Sequence, residues 1–126
     1  DKMGATWHIQ TGIPLFPWSS LARGFFTGRY TPEMRNTMLL KPGSFEARMA
    51  KVYCTDENFE RLNRAKELGS KKGYTAMEVA LAWLLYKPFP IVPLVGPRER
   101  EELASCIKAL SLSLTETEIK WLNLEI

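Results

Sequence analysis

Two stretches place residues in an order that suits anion chemistry. In "IVPLVGPREREEL" (91–103) an apolar string gives way to Gly96, Pro97 and Arg98, and then to a charged helix. Backbone N–H groups at a helix N-terminus attract anions, and a glycine lets a phosphate come close to the chain. Arg98 adds a planar fork of donors matched to phosphate oxygens. Glu99, Glu101 and Glu102 crowd the same turn, where acidic residues also serve simply to offset the helix dipole. The second stretch is "PWSSLARGFFTGRY" (17–30). Trp18 is either a core side chain or a flat face for a ring to stack on. Ser19, Ser20 and the amides that follow could ring a pyrophosphate, with Arg23 and Arg29 as countercharges.

Other chemistry is sparse. His8 is the only histidine, and it reads as a packing or surface residue at a helix end. Cys54 and Cys106 have neither CxxC nor Cys/His spacing, so free thiols in a reducing cytosol are expected and a zinc site is not. Tyr30, Tyr53, Tyr74 and Tyr86 lack a Lys–Asp pair at a spacing that would lower a tyrosine pKa. No catalytic residue is therefore assigned within the chain.

The elements that must position these groups can be read in order. Residues 2–11 have the pattern of a helix end, stopped by Gly12. "IPLFPW" (13–18) reads as a short buried strand between prolines. From Ser19 to about Thr55 the pattern dissolves, which predicts a long functional loop or a segment ordered only by a ligand or partner. A helix follows from Asp56 to about Gly73, with Phe59, Leu62, Ala65 and Leu68 inward and Glu60, Arg61, Arg64 and Lys66 on the wet side. Thr75 and Glu78 form a capping box that opens "AMEVALAWLLY", apolar nearly all round and so covered on several sides. "IVPLV" (91–95) reads as a second strand. The helix after Glu99 is expected to bury Leu103, Ile107 and Leu110, and a second capping box, Thr115 to Glu118, opens a short last helix.

The chain has 126 residues, 45% hydrophobic and 25% charged, the profile of one globular domain. The net charge of +3 comes without a basic stripe, which argues against nucleic acid. No apolar run reaches the roughly 18 residues of a membrane span, and "DKMGATWHIQ" lacks the pattern of a signal peptide. A chain that begins at Asp1 rather than Met implies that an upstream part was removed. Two apolar strands joined through helices predict a parallel pair. Two such strands cannot close a sheet, so their open edges predict self-association or pairing with an absent N-terminal part.

"PLFPWSSLARGFFTGRY", "GYTAMEVALAWLL" and "IVPLVGPREREEL", in that order, resemble the C-terminal part of the aldo-keto reductase family, in its long-loop bacterial and potassium-channel-β-subunit-like branch. "WSSLARG" is similar to the family's W-S-P-L-A-x-G, and "TGRY" to its T-G-K-Y. The resemblance implies an α/β chain, residues 1–126 being one segment from the C-terminal portion of a (β/α)8 TIM barrel with its last two parallel strands. It implies NADP as cofactor, with NAD the alternative, and a small carbonyl substrate reduced by hydride transfer. Carried over, Trp18 would stack on the nicotinamide, and Ser19, Ser20, Leu21, Ala22 and Arg23 would wrap the pyrophosphate. Arg29 would replace a phosphate-contacting lysine, and Gly96 and Arg98 would hold the adenosine 2′-phosphate. Glu102, Ser105 and Cys106 stand where the family's glutamine, glutamate and asparagine face the adenine. The catalytic tyrosine with its aspartate, lysine and histidine lies on strands not represented here. A cytoplasmic cofactor-holding part of a reductase, inactive alone, is the reading that results. A non-catalytic nucleotide-binding or interaction module, or an inactive truncated product, is the alternative.

Overall fold

A computed structural model describes residues 2–126, with the Lys2 side chain outside the described set. Among the described residues there are seven α-helices: α1 (Lys2–Thr11), α2 (Pro32–Leu39), α3 (Phe45–Val52), α4 (Asp56–Lys72), α5 (Ala76–Leu85), α6 (Arg100–Ala109) and α7 (Glu116–Leu122). A kinked 3-10 turn, Ala22–Thr27, precedes α2.

The expected α/β architecture, with two strands of a (β/α)8 barrel, is overturned. The described residues contain helices and turns but no strand and no sheet. Residues 13–18 and 91–95 do run extended side by side, and they meet in one isolated parallel bridge, Leu15 to Ile91. Three backbone hydrogen bonds join them: Leu15 N–H to Pro90 O (2.9 Å), Val92 N–H to Leu15 O (2.9 Å) and Leu94 N–H to Pro17 O (3.1 Å). Proline explains why the ladder goes no further. Pro14, Pro17, Pro90 and Pro93 each lack the N–H that a ladder needs.

The stretch expected to be a long loop is also largely helical. Pro32 takes the first position of α2, where its missing N–H costs nothing. The Ser44 hydroxyl accepts from Ala47 N–H and starts α3. These two helices pack on each other and send Met38, Met49 and Ala50 into the core. Arg35 ties α2 to the start of α4 through Asp56 at 2.6 Å.

Helices α4, α5 and α7 start where their caps put them. Thr55, Thr75 and Thr115 each accept an N–H of the first turn, and Glu78 and Glu118 return the bond. Gly73, in the left-handed conformation, ends α4. Phe59, Leu62, Ala65 and Leu68 are buried on one face of α4, each worth up to about 3 kcal/mol for the larger side chains. Arg64, expected on the wet side, is instead turned toward the C-terminal tail, where it donates to Trp121 O and Ile126 O at 2.6 Å each.

The main core joins the 3-10 turn, α2 to α5, residues 112–114 and α7. A smaller cluster of Leu81, Cys106 and Ala109 lies between α5 and α6, with Leu21 and Val95 packed against it. That small cluster positions the site, because it pins one residue from each of the two anion-directed stretches to the same support. The burial expected for α6 is rotated. Leu103, Ile107 and Leu110 are 44%, 58% and 66% exposed, and the small Cys106 and Ala109 face α5 instead.

Candidate functional site

The two stretches singled out by sequence come together along one groove of about 460 Å³. Ser19, Ser20, Leu21, Arg23 and Arg29 line one wall, and Gly96, Arg98, Glu102 and Cys106 line the other. Trp18 and Ala22 do not line it; they face a neighbouring apolar slot that shares Ser19 and Ser20 with the groove. Ser105 also lies outside the groove lining, its hydroxyl donating to Glu78 Oε1 at 2.7 Å. Phe45, Met77 and Thr27 are among the further lining residues and were not singled out by sequence. Phe45 was hidden because its helix was read as loop, although Phe45, Met49 and Val52 recur at helical spacing.

The first wall owes its shape to an unusual backbone. Ser19 (φ 56°), Ala22 (φ 50°) and Arg23 (φ 52°) are non-glycine residues in the left-handed region, followed by Gly24 (φ 83°). Such residues cost on the order of 1–3 kcal/mol each and persist where their surroundings hold them. Here Ala22 N–H donates to Ser19 O, Gly24 N–H to Leu21 O, and the Ser20 hydroxyl to Pro17 O at 2.7 Å. Leu21 (φ −99°, ψ 20°) leads into the left-handed pair Ala22 and Arg23, so the wall is a tight double turn closed by its own backbone bonds.

The cations are fixed by their neighbours. The Arg29 guanidinium donates to Arg23 O (3.1 Å) and to the Tyr30 hydroxyl (2.9 Å), and it lies over the Tyr30 ring at 4.8 Å. Gly24 is needed for its left-handed backbone, and a side chain there would also nudge that guanidinium, 3.2 Å away. Arg23 sits over the Trp18 ring (5.3 Å) and the Phe45 ring (5.7 Å), which makes its orientation a matter of cation–π contact.

On the second wall the first amide of the α6 entry already has a partner. Arg98 N–H donates to Glu102 Oε2 at 2.7 Å. An incoming anion would therefore meet a carboxylate as well as the arginine. Burial, then the nearby Glu102 and Glu78 carboxylates, pushes the Cys106 thiol up, which keeps it protonated and a poor nucleophile. Among the described residues no group of His, Cys, Asp and Glu could hold a metal ion. Both cysteines are free and buried.

The groove brings Arg23 and Arg29 on one wall opposite Arg98 and the Gly96–Pro97 turn on the other, an arrangement whose charge suits an anionic ligand. The Aldo/keto reductase family model matches residues 5–123, and the chain belongs to that family. An uncharacterized oxidoreductase, YrpG of Bacillus subtilis (strain 168), is 34% identical over 112 residues, or 89% of this chain and 32% of that protein. Norsolorinic acid reductase stcV of Emericella nidulans is 32% identical over 110 residues, covering 86% and 25%. Probable aldo-keto reductase 1 of Glycine max is 31% identical over 113 residues, covering 88% and 31%. The chain thus spans about a third or less of the length of these relatives.

Proposed function

We propose that this chain is the dinucleotide-holding part of a carbonyl reductase, in the family's bacterial and channel-β-subunit-like branch. Arg23 and Arg29 would hold the pyrophosphate with the Ser19–Arg23 amides, and Arg98 and Gly96 the adenosine 2′-phosphate. NADP is the cofactor this favours, and NAD is the alternative that Glu102 would admit by accepting ribose hydroxyls. The nicotinamide, when bound, supplies the hydride for a small carbonyl substrate. The observation that carries the reading is the single groove with both arginine-bearing stretches on its walls.

A second reading is a non-catalytic nucleotide-binding module. It draws on the tyrosines, since a proton donor is needed for carbonyl reduction. The Tyr30 hydroxyl accepts from Arg29, the Tyr86 hydroxyl accepts from Leu114 N–H at 2.9 Å, and Tyr74 faces Lys108. None of these is set beside a Lys–Asp pair. The chain alone is expected to bind without turnover, in a cytoplasmic setting that suits its two free thiols.

Titration with NADPH and NADH, followed through tryptophan fluorescence, tests this. Saturable binding of NADPH that weakens with salt, and no turnover of an aldehyde, is expected. Failure of both nucleotides to bind would sink the reading. Turnover by this chain alone would remove the second one.

A further inference from the structure

The apolar slot beside the groove has a shape of its own. It holds about 270 Å³ between the 17–20 turn, α4 and α5. The slot opens to solvent and has room for several waters at about 30 Å³ each. Its floor is made of small side chains, Ala22, Ala65, Val79 and Ala80, which create the space. Its walls are Phe26, Tyr53 and Trp83, and Trp18, 75% exposed, stands at the mouth. Water would find few partners there, whereas a flat ring would be in contact with the aromatic side chains Phe26, Tyr53 and Trp83.

One cation bears on the slot. Arg61 lines it, its guanidinium steadied by the Asn58 side-chain oxygen at 2.9 Å and only loosely paired with Glu57 at 3.9 Å. Ser19 adds a hydroxyl-bearing residue at the side shared with the groove. We propose that this slot binds a flat aromatic molecule of one or two rings that carries a carboxylate directed at Arg61. Small residues set the width, aromatic walls select planarity, and the guanidinium selects the anionic end. Ser19 and Ser20 are shared with the groove, but Phe26, Tyr53, Arg61, Ala65, Ala80 and Trp83 line the slot and not the groove, so the inference does not rest on the dinucleotide reading.

The test is titration of the full chain with 2-naphthoate, read by quenching of tryptophan fluorescence. Saturable one-to-one binding is expected. Ala80→Phe, which fills the slot, should weaken it by about tenfold or more, while Leu110→Ser, on an exposed apolar position elsewhere, should leave it unchanged. Absence of saturable binding overturns the proposal, as does binding that survives Ala80→Phe or is lost with Leu110→Ser. Should circular dichroism show that Ala80→Phe does not fold, Arg61→Leu decides. It should abolish the preference for 2-naphthoate over uncharged 2-naphthylmethanol, and a preference that persists refutes the assignment.

Discussion

Glu78 is buried, yet its carboxyl sits below the usual range. Burial pushes the pKa up, but the Thr75 amide, the Ser105 hydroxyl and the Lys108 ammonium outweigh it. A carboxyl whose pKa is lower in the folded chain stabilises the fold fully above its unfolded value of about 4.3. That contribution is lost as the pH falls through the folded value. Glu78→Gln is therefore expected to cost roughly 1–3 kcal/mol at pH 7, and the gap to wild type should close as melts are taken toward pH 3. A gap that stays constant with pH would show the carboxylate's charge to be irrelevant. Gly69 makes a second residue-scale case. A methyl there would run into the Tyr74 carbonyl oxygen, where α4 turns back toward α5. Alanine gains up to about 1 kcal/mol of helix propensity, but the collision with backbone should outweigh it, by about 1–3 kcal/mol net destabilisation. Urea melts check this, and a more stable Gly69→Ala would contradict the close approach. In the proposed cofactor site, Glu102→Gln removes the negative charge beside Arg98. NADPH affinity should rise by about tenfold or less, with NADH affected less, in paired titrations.

At the scale of elements, the caps carried the most reliable information. Thr75 with Glu78 and Thr115 with Glu118 were visible as capping boxes, and both are formed in full. Thr115→Ala should cost about 1 kcal/mol in thermal melts, since α7 is only 7 residues long and has little else to start it. The apolar pattern of α6 was less informative. Spacing alone put Leu103, Ile107 and Leu110 inward, but α6 lies close on α5 through Cys106 and Ala109, because small side chains let it approach. Polar replacement of Ile107 should thus change stability by no more than about 0.5 kcal/mol, whereas Ala109→Leu should be destabilising by about 1–3 kcal/mol. The reverse order would restore the reading from periodicity. Helices α2 and α3 were missed for a different reason. Each is 8 residues, about two turns, so a spacing such as Phe45, Met49 and Val52 is too brief to stand out between flanking Gly, Pro and Ser.

For the molecule as a whole, strand pairing was the part least legible in the sequence. The strings at 13–18 and 91–95 are apolar at most positions, and that composition suggested a sheet. The prolines inside them limit the pairing to one bridge, and helices supply the rest of the described fold. The meeting of the two anion-directed stretches was more legible, because each is contiguous in the sequence and Leu21 and Val95 pack on one small cluster. Trp18, Ala22 and Ser105 fell outside the groove, since the left-handed turn at Ser19 and the hydrogen bond from Ser105 to Glu78 direct them elsewhere. What remains central is that Ser19–Gly24 and Gly96–Glu102 act on one ligand. Backbone amide chemical shifts of the isotope-labelled chain, followed through an NADPH titration, address that most directly. Both segments should shift together and fit a single dissociation constant. Shifts confined to one segment, or fitting two separate constants, would contradict it.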